Sequence, residues 1–172
     1  MTGPARFDAQ SYILPAIADG RRPTLGPLPA EAAHPLSAEI AAMHPWREYP
    51  YPVEAFYRML TADEPGAPRF AILLEEEIVG VCLIRTAWLR GPYLQFLALV
   101  PRAHNLGIGG ALLAWLESEA RRAEERNLWV AASQINPGAI RFYERAGFTK
   151  VADLENLACE GYMEFLFRKR LT

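Results

Sequence analysis

Between His104 and Leu113 the chain reads HNLGIGGALL, which places Gly107, Gly109 and Gly110 between an apolar run, YLQFLALVP, and a long helix-like segment. Glycines at a strand-to-helix junction let main-chain N–H groups converge on an anion, helped by the partial positive charge of the helix start. A phosphate or pyrophosphate is the natural guest. A nucleoside-triphosphate loop would read G-x-x-x-x-G-K-[ST], with lysine on the outer phosphates and a hydroxyl on magnesium, and neither residue follows these glycines. A dinucleotide turn needs a third glycine where Leu112 stands and an acid closing the next strand. Here LWVAAS ends without one, and PRAHN separates the strand from the glycines. The plain alternative is a tight helix–strand contact that only glycine permits.

A second group of residues lies in NPGAIRFYERAGF, Asn136 to Phe148. Asn136 before Pro137 reads as a helix N-cap followed by proline at the first helical position, and Gly147 as the C-cap. Tyr143 reads as a core aromatic among Ala139, Phe142 and Ala146.

The elements that must position these residues follow from periodicity. RFAILLEEE and IVGVCLIRTAW are apolar runs joined by a charged turn and predict an antiparallel hairpin, with Glu76 and Glu77 as turn charges. Gly91-Pro92 breaks the chain before a further strand, YLQFLALV. Gly107 to Arg126 places Leu112, Leu113, Leu116, Ala120 and Ala123 on one face and predicts an amphipathic helix. Leu128 to Ser133 is a short strand, and Phe148 to Asp153 and Tyr162 to Arg168 close the sheet. Upstream, PTLGPLP suggests an edge strand. Helical patterns follow at Leu36, Ile40 and Met43 and again from Val53 to Leu60, with the loop HPWREYPYP between them. Residues 1–20 are set apart as an N-terminal arm because YILPAIA carries a proline in its middle. Residues 21–172 are expected to form one domain.

At 172 residues, with 51% hydrophobic and 22% charged side chains, the composition is that of a globular chain. The net charge of -2 argues against a nucleic-acid partner, which normally calls for a basic surface. Cys82 and Cys159 fit neither a metal-ligand spacing nor a disulfide framework, so no metal is expected and a reduced, cytoplasmic setting is. No secretory signal and no membrane span are expected.

The two motifs together resemble the GNAT superfamily of N-acetyltransferases. LALVP followed by HNLGIG is similar to that family's [QR]-x-x-G-x-[GA] loop, and Asn136 to Phe148 to its N-x-x-A-x-x-x-Y-x-x-x-G-F motif. The resemblance covers about Leu25 to the C-terminus. It implies an α/β fold with a mixed, mostly antiparallel twisted sheet, splayed between its fourth and fifth strands, and helices on both faces. It also implies acetyl-CoA as co-substrate. The main chain of Leu97, Ala98 and Leu99 would pair with pantetheine, while the loop of His104, Asn105, Leu106, Gly107, Ile108, Gly109 and Gly110 would hold the pyrophosphate. Asn136 would contact the pantetheine arm and Tyr143 would be the general acid. His104 stands where relatives have Arg or Gln. Some relatives use a glutamate on the fifth strand as base, but VAASQ has none; Gln95, Ser133 and Gln134 could order a water instead, and no base is assigned.

The function expected from this resemblance is direct transfer of an acetyl group to a primary amine, on a small molecule or a peptide. A non-catalytic acyl-CoA binding or sensing module is the alternative. Trp46, Tyr49, Tyr51, Phe56 and Tyr57 lie where the family has its acceptor wall, although plain packing also explains them. The acceptor and the acyl-chain length are written in no motif, and the C-terminal strands could pair across a homodimer.

Overall fold

Alternating apolar residues in the middle of the chain, among them Ile72, Val81, Ile84 and Leu94, are fully or almost fully buried and draw the chain into one sheet. The computed structural model describes residues 7–171. Its strands are β1 (Tyr12–Ile13), β2 (Thr24–Gly26), β3 (Arg69–Leu74), β4 (Glu77–Trp88), β5 (Gly91–Leu99), β6 (Asn127–Ser133), β7 (Thr149–Glu155) and β8 (Met163–Arg170). Its helices are α1 (Ala30–Ala42), α2 (Val53–Thr61), α3 (Ile108–Arg122) and α4 (Pro137–Arg145). The sheet order is β1-β2-β3-β4-β5-β6-β8-β7. Every neighbouring pair is antiparallel except β5 with β6. That parallel pair needs a crossover, and α3 supplies it. Among the described residues no helix is long and apolar enough to cross a membrane.

Ring contacts show which helix covers which face. Phe70 of β3 meets Trp115 of α3 with centroids 6.2 Å apart, and Phe167 of β8 meets Tyr143 of α4 at 6.3 Å. A Cβ built on Gly109 of α3 would lie 3.0 Å from Phe142 Cζ of α4, so α3 and α4 share a face. Phe96 of β5 meets Phe56 of α2 at 6.4 Å, and the Arg69 guanidinium donates to the Met59 carbonyl of α2. Thus α2, with α1 against it, covers the opposite face. On α3 the buried residues Ile108, Leu112, Leu116 and Ala120 recur every four positions. Burial of each leucine is worth about 1.5–3 kcal/mol. The hairpin turn between β3 and β4 is Glu75-Glu76, both at positive φ.

Part of the segment set apart as an arm belongs to this structure. Residues 1–6 lie outside the described residues, but Tyr12–Ile13 pairs with β2, and Leu14 and Ile17 are buried. Tyr12 packs on both Phe70 and Trp115. Proline hides this in the sequence: Pro15 interrupts the pattern, yet Leu14 N–H still reaches the Pro23 carbonyl at 2.9 Å. Because this strand precedes the one expected in PTLGPLP, the expected fourth and fifth strands are β5 and β6.

Candidate active site

The parallel contact between β5 and β6 is confined to two pairs, Tyr93 with Trp129 and Leu94 with Val130. The bulge in the β4–β5 ladder comes immediately afterwards: Ile84 pairs with Leu94 but Leu83 pairs with Phe96, leaving Gln95 as the extra residue. A bulge bends its strand. From Gln95 to Leu99, β5 keeps its pairing with β4 and has no partner on its other side, while β6 continues to Ser133 against β8. The sheet therefore forks.

The main-chain groups at the fork can be assigned by alternation. Val100 N–H donates to the Val79 carbonyl, so in the same ladder Ala98 turns its N–H and C=O toward β4, and Leu97 and Leu99 turn theirs toward the opening. Of the three residues expected to pair with pantetheine, Leu97 and Leu99 face the fork and Ala98 does not. The Leu99 carbonyl is 2.7 Å from His104 Nε2, which must then carry the proton and donate. That bond ties the loop back to β5, a use of the imidazole that does not involve phosphate.

Between β5 and α3 the chain makes one short turn at Pro101–Ala103, then passes through left-handed backbone at Asn105 (φ 61°) and Gly107 (φ 89°). Gly107 is the N-cap of α3, and the first intrahelical bond runs from Ala111 N–H to the Gly107 carbonyl. The N–H groups of Ile108, Gly109 and Gly110 thus precede the helical ladder and are available to an anion. His104, Asn105, Gly107 and Gly110 are exposed, Leu106 and Gly109 half-buried, and Ile108 buried. Arg102, the nearest cation along the chain, is committed to Glu77, Glu39 and the Ile78 carbonyl. Ile17 packs beside Gly107, so the N-terminal segment helps to support this loop.

Asn136 Oδ1 accepts from Ala139 N–H at 3.1 Å, which makes the residue the N-cap of α4 and leaves its NH₂ free to donate. Tyr143 is buried against Phe142, Phe148 and Phe167. Its hydroxyl has no protein partner among the described residues, and it is not shut off from solvent. Burial, with the Tyr93 phenol adding a little, pushes its pKa well above the ordinary tyrosine value, so the phenol stays protonated.

The other face of the fork is lined with aromatics. Trp46 packs on Phe96 at 5.0 Å, Tyr49 stacks on Tyr51 at 5.7 Å and meets Tyr162 at 4.7 Å, and Tyr51 meets Phe56 at 6.2 Å. Tyr162 Oη donates to the Glu48 carbonyl at 2.8 Å, and Tyr51 Oη to that of Ala158, so the loop before α2 is held against the link between β7 and β8. Tyr57 stands apart from this group, packed on His34. Of the residues read as water-ordering, Gln95 is taken by Arg85, whose other end pairs with Glu64, and Gln134 is exposed. Ser133 is buried opposite a residue that sequence reasoning missed, Glu164, whose charge reaches a second one, Tyr93 on β5.

A sheet forked at its parallel pair, with an open strand edge leading to a glycine-rich helix start, defines the class of fold. This chain belongs to the acetyltransferase (GNAT) family, whose model matches residues 34–148. The chain is 38% identical over 86 residues to acetyltransferase Atu2258 of Agrobacterium fabrum, a match covering 49% of this chain and 59% of that protein. The match thus spans less than two thirds of that relative. Ard1 from Thermoplasma volcanium superimposes with a TM-score of 0.69 at 17% identity over 87% of this chain and 98% of its own. A GNAT family acetyltransferase from Elizabethkingia anophelis, solved with acetyl-CoA bound, gives 0.62 at 17% identity over 95% and 100%. At these identities the likeness to the two structures is one of fold.

Proposed function

We propose that this chain transfers the acetyl group of acetyl-CoA to the nitrogen of a primary amine by direct attack. The observation that carries this reading is the fork itself, with an unpartnered phenol, Tyr143, on one face and an aromatic wall on the other. The relative from Elizabethkingia anophelis, which shares the fold, is a precedent for the co-substrate.

The residues fit such a co-substrate. Leu97 and Leu99 offer main-chain groups that no strand uses, and the helix start from Gly107 to Gly110 offers N–H groups with no acidic side chain in the loop. The Asn136 NH₂ adds a donor near the fork. Acetyl-CoA, when bound, supplies an acyl group activated as a thioester. The protein's part is to hold that group in the opening, to exclude bulk water with Trp46, Phe96 and Tyr49, and to keep a proton ready on Tyr143 Oη for the departing sulfur. A non-catalytic binding module would have no use for that proton.

The test is Tyr143→Phe, assayed by release of free CoA with a panel of primary amines. The hydroxyl makes no protein bond among the described residues, so the variant should keep its ring packing and its CoA affinity within about twofold. Turnover should fall by about 10²-fold or more, the usual share of a general acid. Unchanged turnover at saturating substrates would remove the acid role. No turnover by the wild-type protein with any amine, despite tight acetyl-CoA binding, would return the chain to a sensing role.

A further inference from the structure

We propose that Glu164 is the acceptor-side carboxylate of this site: it receives the ammonium of the incoming amine and takes the proton that nitrogen must lose before attack. This rests on the reading just given and assigns the base that the sequence left open. Glu164 sits on β8 directly opposite Ser133 at the end of β6, three residues beyond the last β5–β6 pair and so at the open end of the fork. Val130 and its partner Phe167 face α3 and α4; alternation turns Ser133 and Glu164 to the other face, where Tyr49 meets them.

Glu164 is 9% exposed and has no cationic partner among the described residues. Its one hydrogen bond comes from Tyr49 Oη to Oε1 at 2.7 Å. The Ser133 hydroxyl lies beside that phenol and in turn accepts from Ile135 N–H at 3.4 Å. A carboxylate has about four acceptor positions, and a buried one that meets only a neutral phenol is costly unless a cation completes it. No cation among the described residues completes it. Tyr49 and Tyr51 on the loop, and Tyr93 on the far arm of the fork, all sense the Glu164 charge, which adds to the rise that burial causes in their pKa values. A carboxylate with acceptor positions still open beside phenol hydroxyls is suited to an alkylammonium group, which donates up to three hydrogen bonds.

Tyr143 and Glu164 therefore lie on opposite faces of one opening, and the protons balance across it. The ammonium gives one proton to Glu164, which passes it to solvent. The free nitrogen then forms the N–C bond as the C–S bond breaks. Tyr143 gives its proton to the sulfur, and the second proton that nitrogen loses restores the phenol.

The experiment compares n-butylammonium chloride with 1-butanol, probes of similar size that differ in charge, by titration of the CoA-saturated protein and again without CoA. The wild-type protein should bind the ammonium at least tenfold more tightly. Glu164→Gln retains an acceptor for Tyr49 and should fold, yet lose that preference and lower kcat/KM for n-butylamine by about 100-fold, with CoA affinity unchanged. Tyr49→Phe leaves the carboxylate in place and should keep the preference. A wild-type protein that does not discriminate, or a Glu164→Gln variant that still does, overturns the assignment. Failure to bind CoA instead overturns the acetyl-transfer reading, and the titration without CoA still decides Glu164.

Discussion

Replacing Gly110 with alanine separates what the glycines do for the fold from what they do for a ligand. Gly110 is the third residue of α3, is exposed, and a Cβ built on it meets nothing within 4 Å. The fold gives no reason for glycine here. In a helix interior alanine is better by about 0.8–1.0 kcal/mol, and allowing for the first turn the gain should be about 0.5 kcal/mol, or a Tm about 1–2 °C higher. If the Gly110 N–H and its neighbours bind pyrophosphate, the added methyl stands where an oxygen must approach. Losing one hydrogen bond to a charged group costs about 1.5–3 kcal/mol, which weakens CoA binding by about 10- to 150-fold. Gly109→Ala would be a poorer probe, because its methyl also presses on Phe142. His104→Ala is the control. It removes a bond to the Leu99 carbonyl, costs about 0.5–1.5 kcal/mol of stability, and should change CoA affinity less than Gly110→Ala does. Thermal unfolding and calorimetric titration with CoA read both quantities. A Gly110→Ala protein that gains stability and still binds CoA like wild type would show that the glycine is not kept for a ligand, and the pyrophosphate site would have to lie elsewhere.

Burial raises the Tyr143 phenol above its ordinary value, and Tyr49, Tyr51 and Tyr93 shift the same way. As pH rises past the ordinary tyrosine range the unfolded chain therefore loses protons that the folded one retains. Stability should be insensitive to these groups below about pH 10 and fall above it, with Tyr143 alone giving about 1.4 kcal/mol per pH unit. Denaturant midpoints measured on either side of that value, for wild type and Tyr143→Phe, should show the variant losing this share of the slope; identical slopes would refute its burial as the cause. The buried Cys82 thiol is pushed up to about 12. Iodoacetamide near neutral pH should spare Cys82 and reach the half-buried Cys159, as peptide mass spectrometry would show. Rapid labelling of Cys82 in the native protein would contradict the packing described.

The glycine turn and the Asn136 helix could be read from the sequence because local stretches of chain build them. His104 to Gly110 and Asn136 to Gly147 each fold largely on themselves, through left-handed backbone at Asn105, Gly107 and Gly147 and the cap from Asn136 to Ala139 N–H. Residue types that serve such geometry are few, so they leave a pattern. The fork was legible only through the resemblance, since the bulge at Gln95 depends on the register of β5 against β4 and no residue in YLQFLALV announces it. Strand β1 was missed for a related reason: two residues and a proline show no periodicity, and their place is set by Trp115, far along the chain, which Tyr12 and Phe70 enclose.

The proposed acceptor side is assembled differently. Tyr49 and Glu164 are 115 residues apart, and Tyr93, Ser133 and Tyr162 come from three further places in the chain. In the sequence Glu164 is one acid among the 20 Asp and Glu residues, in a strand whose other side chains explain the strand without it. Three events of folding single it out. β8 must pair with β6 so that Glu164 meets Ser133, β5 must leave β6 so that the place beside Ser133 opens, and the loop holding Trp46 to Tyr51 must close over that face. Each is long-range, and together they bury a carboxylate without giving it a cation. No glutamate on the fifth strand marks this place, because the charge enters from the neighbouring strand β8, opposite Ser133. If that face receives the amine, as proposed, then the choice of amine rests on β8 and the aromatic loop, while the glycine turn and Tyr143 stand on the other side of the sheet.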